Sequence, residues 1–440
     1  FIFGSLTGTG AMDVESQTWT ENVTFRSNSG VITIDGAQSM GVNDVTFETN
    51  KAPTLNSTVT STGNYIFKTA SSGTDINLLN GAGALDISSA IINKFATGSE
   101  GFIFEAHEDV HISGNLSSYG DIIIRANDTI DLADVNAVFT ATGKIILHSD
   151  YDGSGSGSIY LDSNNQTITS NNNDIILSGG SYGGANYNVG EGNYNDYLDF
   201  LKGSGAYTAN GGYALGSTGV YSNMNLSAGT GDIHLRGKGS TSSGYGVDIR
   251  RNIDTTSGDI NITGIAGTHT SSSNIYGVNI QSDIETTSTD GSAGHITITG
   301  SGSNNLSVRI YGANVNTVGG DISILDSASG GVSIDNSGKV VTSAATAKGA
   351  DITISTSGTF QHFSSANIES DSKVDITAAY IHMWNNSTIG ATDMDGDLTI
   401  ATDSIYLQGA STNIKTTGDI VFKGKTDTTT IGIGNGATGA

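Results

Sequence analysis

The chain has 440 residues with no Cys, one Pro (Pro53) and 61 Gly, and only 14% of it is charged. This excludes disulfide stapling and zinc–thiolate sites and points to a repetitive architecture surfaced by Ser, Thr, Asn and Gly. Acids number 43 against 18 bases, a net charge of -25 that repels phosphate backbones and anionic headgroups, so nucleic acid is not expected as a partner.

Period-two alternation begins near the N-terminus with Val23/Phe25, Ile32/Ile34, Val45/Phe47, Tyr65/Phe67, Ile76/Leu78, Leu85/Ile87, Phe102/Phe104 and Val110/Ile112, and each pair predicts a short strand. "HEDVHISGNLS", from His107, matches the H-E-x-x-H pattern in which two His one helical turn apart hold zinc. The segment Glu108 to Ile112 aligns with Thr74 to Leu78 as a repeat strand, however, where residues four apart lie about 13 Å from each other. A metalloprotease is therefore not expected.

From Gly120 onward the repeat sharpens. Gly-Asp-Ile or a close variant opens at Gly120, Gly231, Gly258, Gly320, Gly396 and Gly418, and the aliphatic pairs Ile122/Ile124, Ile145/Leu147, Ile175/Leu177, Ile233/Leu235, Ile260/Ile262, Ile296/Ile298, Ile322/Ile324, Ile352/Ile354, Val374/Ile376, Leu398/Ile400 and Ile420/Phe422 stack into two inward columns. The residue between each pair varies from Ile123, Ile146 and Ile176 through His234 and Asn261 to Asp375 and Val421, which reads as an outward, unconstrained position. The Asp is expected to accept local backbone N–H bonds in its turn, with the Gly supplying an unusual dihedral.

A spacing of about 22 to 30 residues, with further strands inside each period, predicts an all-β, right-handed parallel β-helix with three short strands per coil. Roughly 17 or 18 coils are expected, continuous over 1–440 as one domain, at the ~4.8 Å spacing of stacked strands. The one interruption, 178–222, is an insertion rich in Tyr and Gly, with Tyr182, Tyr187, Tyr194, Tyr197, Tyr207, Tyr213 and Tyr221. Asn195 or Asp196 is expected to cap a short helix that carries Tyr197, Leu198, Phe200 and Leu201 and stops at Gly203. Two readings of the insertion stand open: a cover over apolar surface, or an adaptable binding loop for sugar or protein.

Other candidate chemistry is sparse. Asp150 and Asp152, with Ser154 and Gly155, follow the opening spacings of a calcium loop but lack its closing Glu; Asp393, Asp395 and Asp397 form a second acidic turn. Whether either binds calcium stays open at this point. Arg236, Lys238, Arg250 and Arg251 make the notable basic cluster, a candidate groove for sugar acids or a solvated patch. No catalytic, cofactor-binding or metal-binding residue is assigned and no cofactor is expected. No run reaches the roughly 18 apolar residues of a membrane helix, and "FIFGSLTGTG" has no basic n-region, so neither membrane insertion nor a signal peptide is expected in these residues.

The units "YGVDIRRNIDTTSGDINITG" (Tyr245 to Gly264) and "YGVNIQSDIETTSTDGSAGHITITG" (Tyr276 to Gly300), with "GDIIIRANDTIDL" before them, resemble the β-helical repeats of filamentous-haemagglutinin-like large adhesins, the exported partners of bacterial two-partner secretion systems. Autotransporter passengers are similar. The resemblance implies a cysteine-free protein that folds outside a Gram-negative cell, lacking here the family's N-terminal secretion domain, so that the chain reads as a segment of a longer one. Some members of that family carry sugars on Asn-x-Ser/Thr triplets, and Asn22, Asn115, Asn225 and Asn305 begin such triplets here, as a chain rich in Asn, Ser and Thr does by chance. The expected function is that of an extracellular adhesin or surface-fibre segment, a rigid stalk whose adhesion to a protein or glycan of a host or neighbouring cell lies in loops or outside this chain. A carbohydrate-processing β-helix enzyme and a self-assembling filament subunit, joined end to end or laterally, are the alternatives.

Overall fold

The computed structural model describes residues 1–426 apart from 80–82, 96–97, 133–136, 155, 163–165, 181–193, 203–213, 217, 240–243, 268–274, 289–293, 303–305, 344–348 and 410. They form two compact units, one of 1–215 with 221–224 and one of 216–220 with 225–440. Each is a stack of parallel β-helical coils.

In the first unit, successive coils pair their leading strands in register, as in Asn64–Lys68 with Gly101–Ala106 and Gly101–Ala106 with Asp121–Ala126. A second face stacks Ile76–Leu78, Val110–Ile112, Ile130–Leu132 and Ile159–Leu161, and a third stacks Leu116–Ser118, Phe139–Ala141 and Thr167–Ser170. Alternation sends every second side chain inward, so equivalent residues pile on each other. Phe25, Phe47, Phe67 and Phe104 form one such column, with neighbouring ring centroids 5.5 to 5.7 Å apart, and Ile124 and Leu147 continue its register. All six are buried to within 1%, each contributing about 1.5–3 kcal/mol.

The second unit repeats this plan with Ile260/Ile262, Ile296/Ile298, Ile322/Ile324 and Ile352/Ile354 in register. Buried Thr255, Thr286, Thr317 and Thr342 donate at a corner of each coil to the carbonyls of Gly258, Gly294, Gly320 and Ala350 at 2.6 to 3.1 Å, so these interior hydroxyls are satisfied. Each unit holds eight leading strands. Among the described residues these strands head the coils, and Leu85–Ile87 heads none. It is an additional strand paired to Ile76–Leu78 on the edge opposite Val110–Ile112.

The repeated Asp works differently from the sequence expectation. Its carboxylate accepts the N–H of the equivalent residue one coil onward: Asp121 from Lys144, Asp232 from Asp259, Asp259 from His295, Asp321 from Asp351 and Asp397 from Asp419, at 2.7 to 3.1 Å. Asn115 and Asp283 do the same on the third face. The Gly serves clearance, not dihedral freedom. None of Gly120, Gly258, Gly320 and Gly396 has positive φ, yet a Cβ on any of them would lie closer than 3.0 Å to the carbonyl oxygen of the coil before it.

An imidazole occupies an inward position of the second unit. His362 stands in register between Ile334 and Met383, fully buried, with no hydrogen-bond partner for either ring nitrogen. Burial pushes its imidazole from 6.5 down to about 3. The unfolded chain therefore takes up a proton that the folded chain refuses, so stability is complete above pH 6.5 and falls as pH drops towards 3, by at most ~1.4 kcal/mol per unit. His362→Met should raise the urea midpoint at pH 7.5 and reduce the loss measured between pH 7.5 and 5.0. An unchanged midpoint and slope would contradict this reading.

Candidate functional site

The H-E-x-x-H residues do not share a helix. His111 lies in the strand Val110–Ile112, in register with Asn77 and Asp131, whereas Nδ1 of His107 is 2.7 Å from Thr69 Oγ1. His111 faces Asp75 at 4.0 Å through Nε2 and Asp131 at 3.7 Å through Nδ1. Among the described residues, Asp75, Asp109 and His111 are the group whose donor atoms approach closely enough, within 4.8 Å, to hold a metal.

The two acidic turns are built as turns. Asp152 accepts the N–H of Ser154 at 2.9 Å, while Asp150 is buried in the left-handed region and accepts from Ser154 Oγ at 3.4 Å; Gly155 lies outside the described residues. Asp393, Asp395 and Asp397 are exposed around the buried Met394, and Asp397 accepts the Asp419 N–H. In the basic cluster Arg250 donates to Asp248 at 3.0 and 3.1 Å, and Asn279 donates to the other oxygen of that buried carboxylate at 2.7 Å. Arg236 is itself buried, so the four bases do not line an open cationic groove. Asn22, Asn115 and Asn225 accept backbone N–H bonds from Asp44, Val138 and Asn252; Asn305 lies outside the described residues.

Most of the insertion, including Tyr182, Tyr187, Tyr207 and Tyr213, also lies outside them. Its helix, Tyr194–Lys202, begins before Asn195 and Asp196, which therefore fall inside the first turn and are not its caps. Tyr197, Leu198, Phe200 and Leu201 pack over Ile66, Ile103, Ile123, Ile146 and Ile176. The outward column is thus constrained here: five aliphatic side chains in a row need a cover, and the helix supplies it. Lys202 anchors the helix end to Asp174 at 2.7 Å.

Two residues further along the same strands runs a column of alternating charge. Arg26 pairs with Glu48, Lys68 lies 2.8 Å from Glu105, and Glu105 lies 3.4 Å from Arg125, with His148 and Ser178 next in register. The column becomes buried as it passes under the helix. Arg125 is fully enclosed, its guanidinium 5.0 Å from the Tyr197 ring and 5.4 Å from that of Tyr151, a cation–π arrangement strengthened by desolvation. Beside it His148 bonds the Tyr197 hydroxyl and the Gly180 carbonyl, each at 2.8 Å. Burial, aided by the Arg125 charge and opposed by the Gly180 carbonyl, lowers this imidazole to about 3, so it stays neutral. With Glu105, Arg125, His148 and Tyr197 all buried, this part of the network is an anchor for the insertion.

An accessible site that sequence reasoning missed lies in the second unit. The eleven-residue strand Val374–Trp384 turns Tyr380, His382 and Trp384 outward at alternate positions, and Tyr406 sits beside His382 in the next coil. The His382 and Trp384 rings lie 11° from parallel with centroids 5.7 Å apart, Tyr406 is 5.0 Å from His382, and Phe363 braces both His382 and Trp384 edge-on at 87° and 85°. Trp384 is 38% and Tyr406 47% exposed. Gln361, Ser404 and Gln408 occupy neighbouring positions in the same registers, so the rings are set among uncharged hydrogen-bonding groups. The run Tyr380-Ile-His-Met-Trp384 with Tyr406 one coil later carries the signal for this site, aromatic residues on the polar side of a strand.

No family model, no curated protein and no solved structure matches the chain.

Proposed function

We propose that the chain is a stalk segment of an extracellular adhesin from a Gram-negative bacterium, and that it carries its own contact for uncharged saccharide on the platform of Tyr380, His382, Trp384 and Tyr406. The observation that carries this reading is the pair of exposed rings, Trp384 and Tyr406, braced through half-buried His382 and Phe363 among uncharged polar neighbours. Aromatic faces accept the C–H surfaces of sugar rings and exclude water from them, while the flanking amides and hydroxyl meet the sugar hydroxyls. The outward carboxylates of the repeat bond the backbone of the following coil, a mechanical role, whereas a hydrolase or lyase needs acids and bases converging on one substrate.

The chain has two Trp residues, so Trp19→Phe leaves Trp384 as its only indole. Titrating that variant with neutral oligosaccharides should change its fluorescence, and Trp384→Ala should weaken binding on an array at least tenfold while leaving the thermal midpoint within a few degrees. The oligosaccharide should be recovered intact. Retention of full affinity in Trp384→Ala and Tyr406→Ala would remove the platform from the reading, and turnover of the sugar would replace the stalk with an enzyme.

A further inference from the structure

The cluster on the second face of the first unit has a construction beyond chance proximity. Asp75 and Asp109 immediately precede the paired strands Ile76–Leu78 and Val110–Ile112, and His111 is the central, outward residue of the latter. Each carboxylate is held by one oxygen: Asp75 Oδ1 accepts the Asp109 N–H at 3.2 Å, and Asp109 Oδ1 accepts the Thr129 N–H at 2.8 Å. Asp75 Oδ2 then faces His111 Nε2 at 4.0 Å, and one donor atom from each of the three residues falls within 4.8 Å of the others. The second ring nitrogen, Nδ1, is 3.7 Å from Asp131 Oδ2 on the following coil. Such a carboxylate behind the imidazole fixes its tautomer and turns the far nitrogen towards a metal.

We propose that Asp75, Asp109 and His111 bind one divalent transition-metal ion of zinc-like character, with Asp131 as the positioning residue for His111. Metal–donor bonds of about 2.0–2.2 Å place donors roughly 3–4 Å apart, so small side-chain rotations close the set. One imidazole nitrogen with two carboxylate oxygens suits zinc, cobalt or manganese; calcium requires six to eight oxygens and magnesium an oxygen octahedron. The His111 and Asp75 side chains are 37% and 41% exposed, which leaves a coordination position for water.

The repeat itself supplies variants that keep the fold. Asn77 occupies the position of His111 one coil earlier, and Asn115 performs the Asp75 type of backbone bond on the third face, so His111→Asn and Asp75→Asn remove ligands while preserving the coil. Untagged protein stripped with a chelator and titrated with zinc chloride near pH 7.5 should bind one equivalent, at least tenfold more tightly than calcium. Affinity should fall at least tenfold in His111→Asn and in Asp75→Asn, and in Asp131→Asn through the misdirected imidazole, while His107→Gln binds as the parent does. Absence of zinc binding up to millimolar concentration, or equal affinity in the parent and His111→Asn, would overturn the assignment.

Discussion

Arg125→Met is expected to lower the free energy of unfolding by roughly 3 kcal/mol, the lower end of the range for breaking a buried ion pair. Burial pushes the Glu105 carboxyl up, but Lys68 and Arg125 outweigh it and hold that group below the ordinary carboxylate value. Removing Arg125 leaves Glu105, only 9% exposed, with Lys68 alone. It also takes the cation from between Tyr151 and Tyr197, which loosens the helix Tyr194–Lys202 from the Ile66 to Ile176 column. Glu105→Gln in the same chain should restore much of the loss, because a neutral amide no longer requires a buried cation. Urea midpoints of the two single variants and the double variant check this; a double variant as unstable as the sum of its parts would assign the loss to packing alone.

Gly258→Ala is expected to cost about 1–3 kcal/mol or more, although it adds a single methyl. The Cβ would meet the Gly231 carbonyl and Asp232 N, both main-chain atoms at 3.0 Å or less, so relief requires the corner itself to move. Gly294 stands over the Gly258 carbonyl, and Gly320 over that of Gly294, with the same clearance, so a shift at one corner disturbs the next. Gly10→Ala is the control, since nothing lies within 4 Å of its added methyl and its φ is not positive. Thermal midpoints of the two variants compare them directly, and a Gly258→Ala midpoint equal to that of Gly10→Ala would refute the close-stacking account.

The coil plan was legible in the sequence because stacking matches like with like. Val374/Ile376 and Leu398/Ile400 repeat the same two inward sites, and alternation alone identifies them. Outward sites were not legible for the opposite reason, as their environment is set by whatever covers them. Ile123 and Ile146 look like an arbitrary outward column until the helix arrives from the 178–222 insertion, and Arg125 and His148 look solvated until Tyr197, 49 residues after His148, closes over them. The direction of the Asp carboxylates was missed similarly: a local turn bond and a bond to the next coil demand the same residue at the same place. The platform went unseen because His382 and Tyr406 fall in different repeats and meet only when the coils stack.

The carboxylate-to-backbone bonds also have a direction. Asp121, Asp232, Asp259, Asp321, Asp351 and Asp397 each accept from a residue nearer the C-terminus. At each such corner the earlier coil supplies the acceptor and the later coil the donor, so the two ends of a stack differ at this position, one presenting an amide donor and the other a carboxylate acceptor.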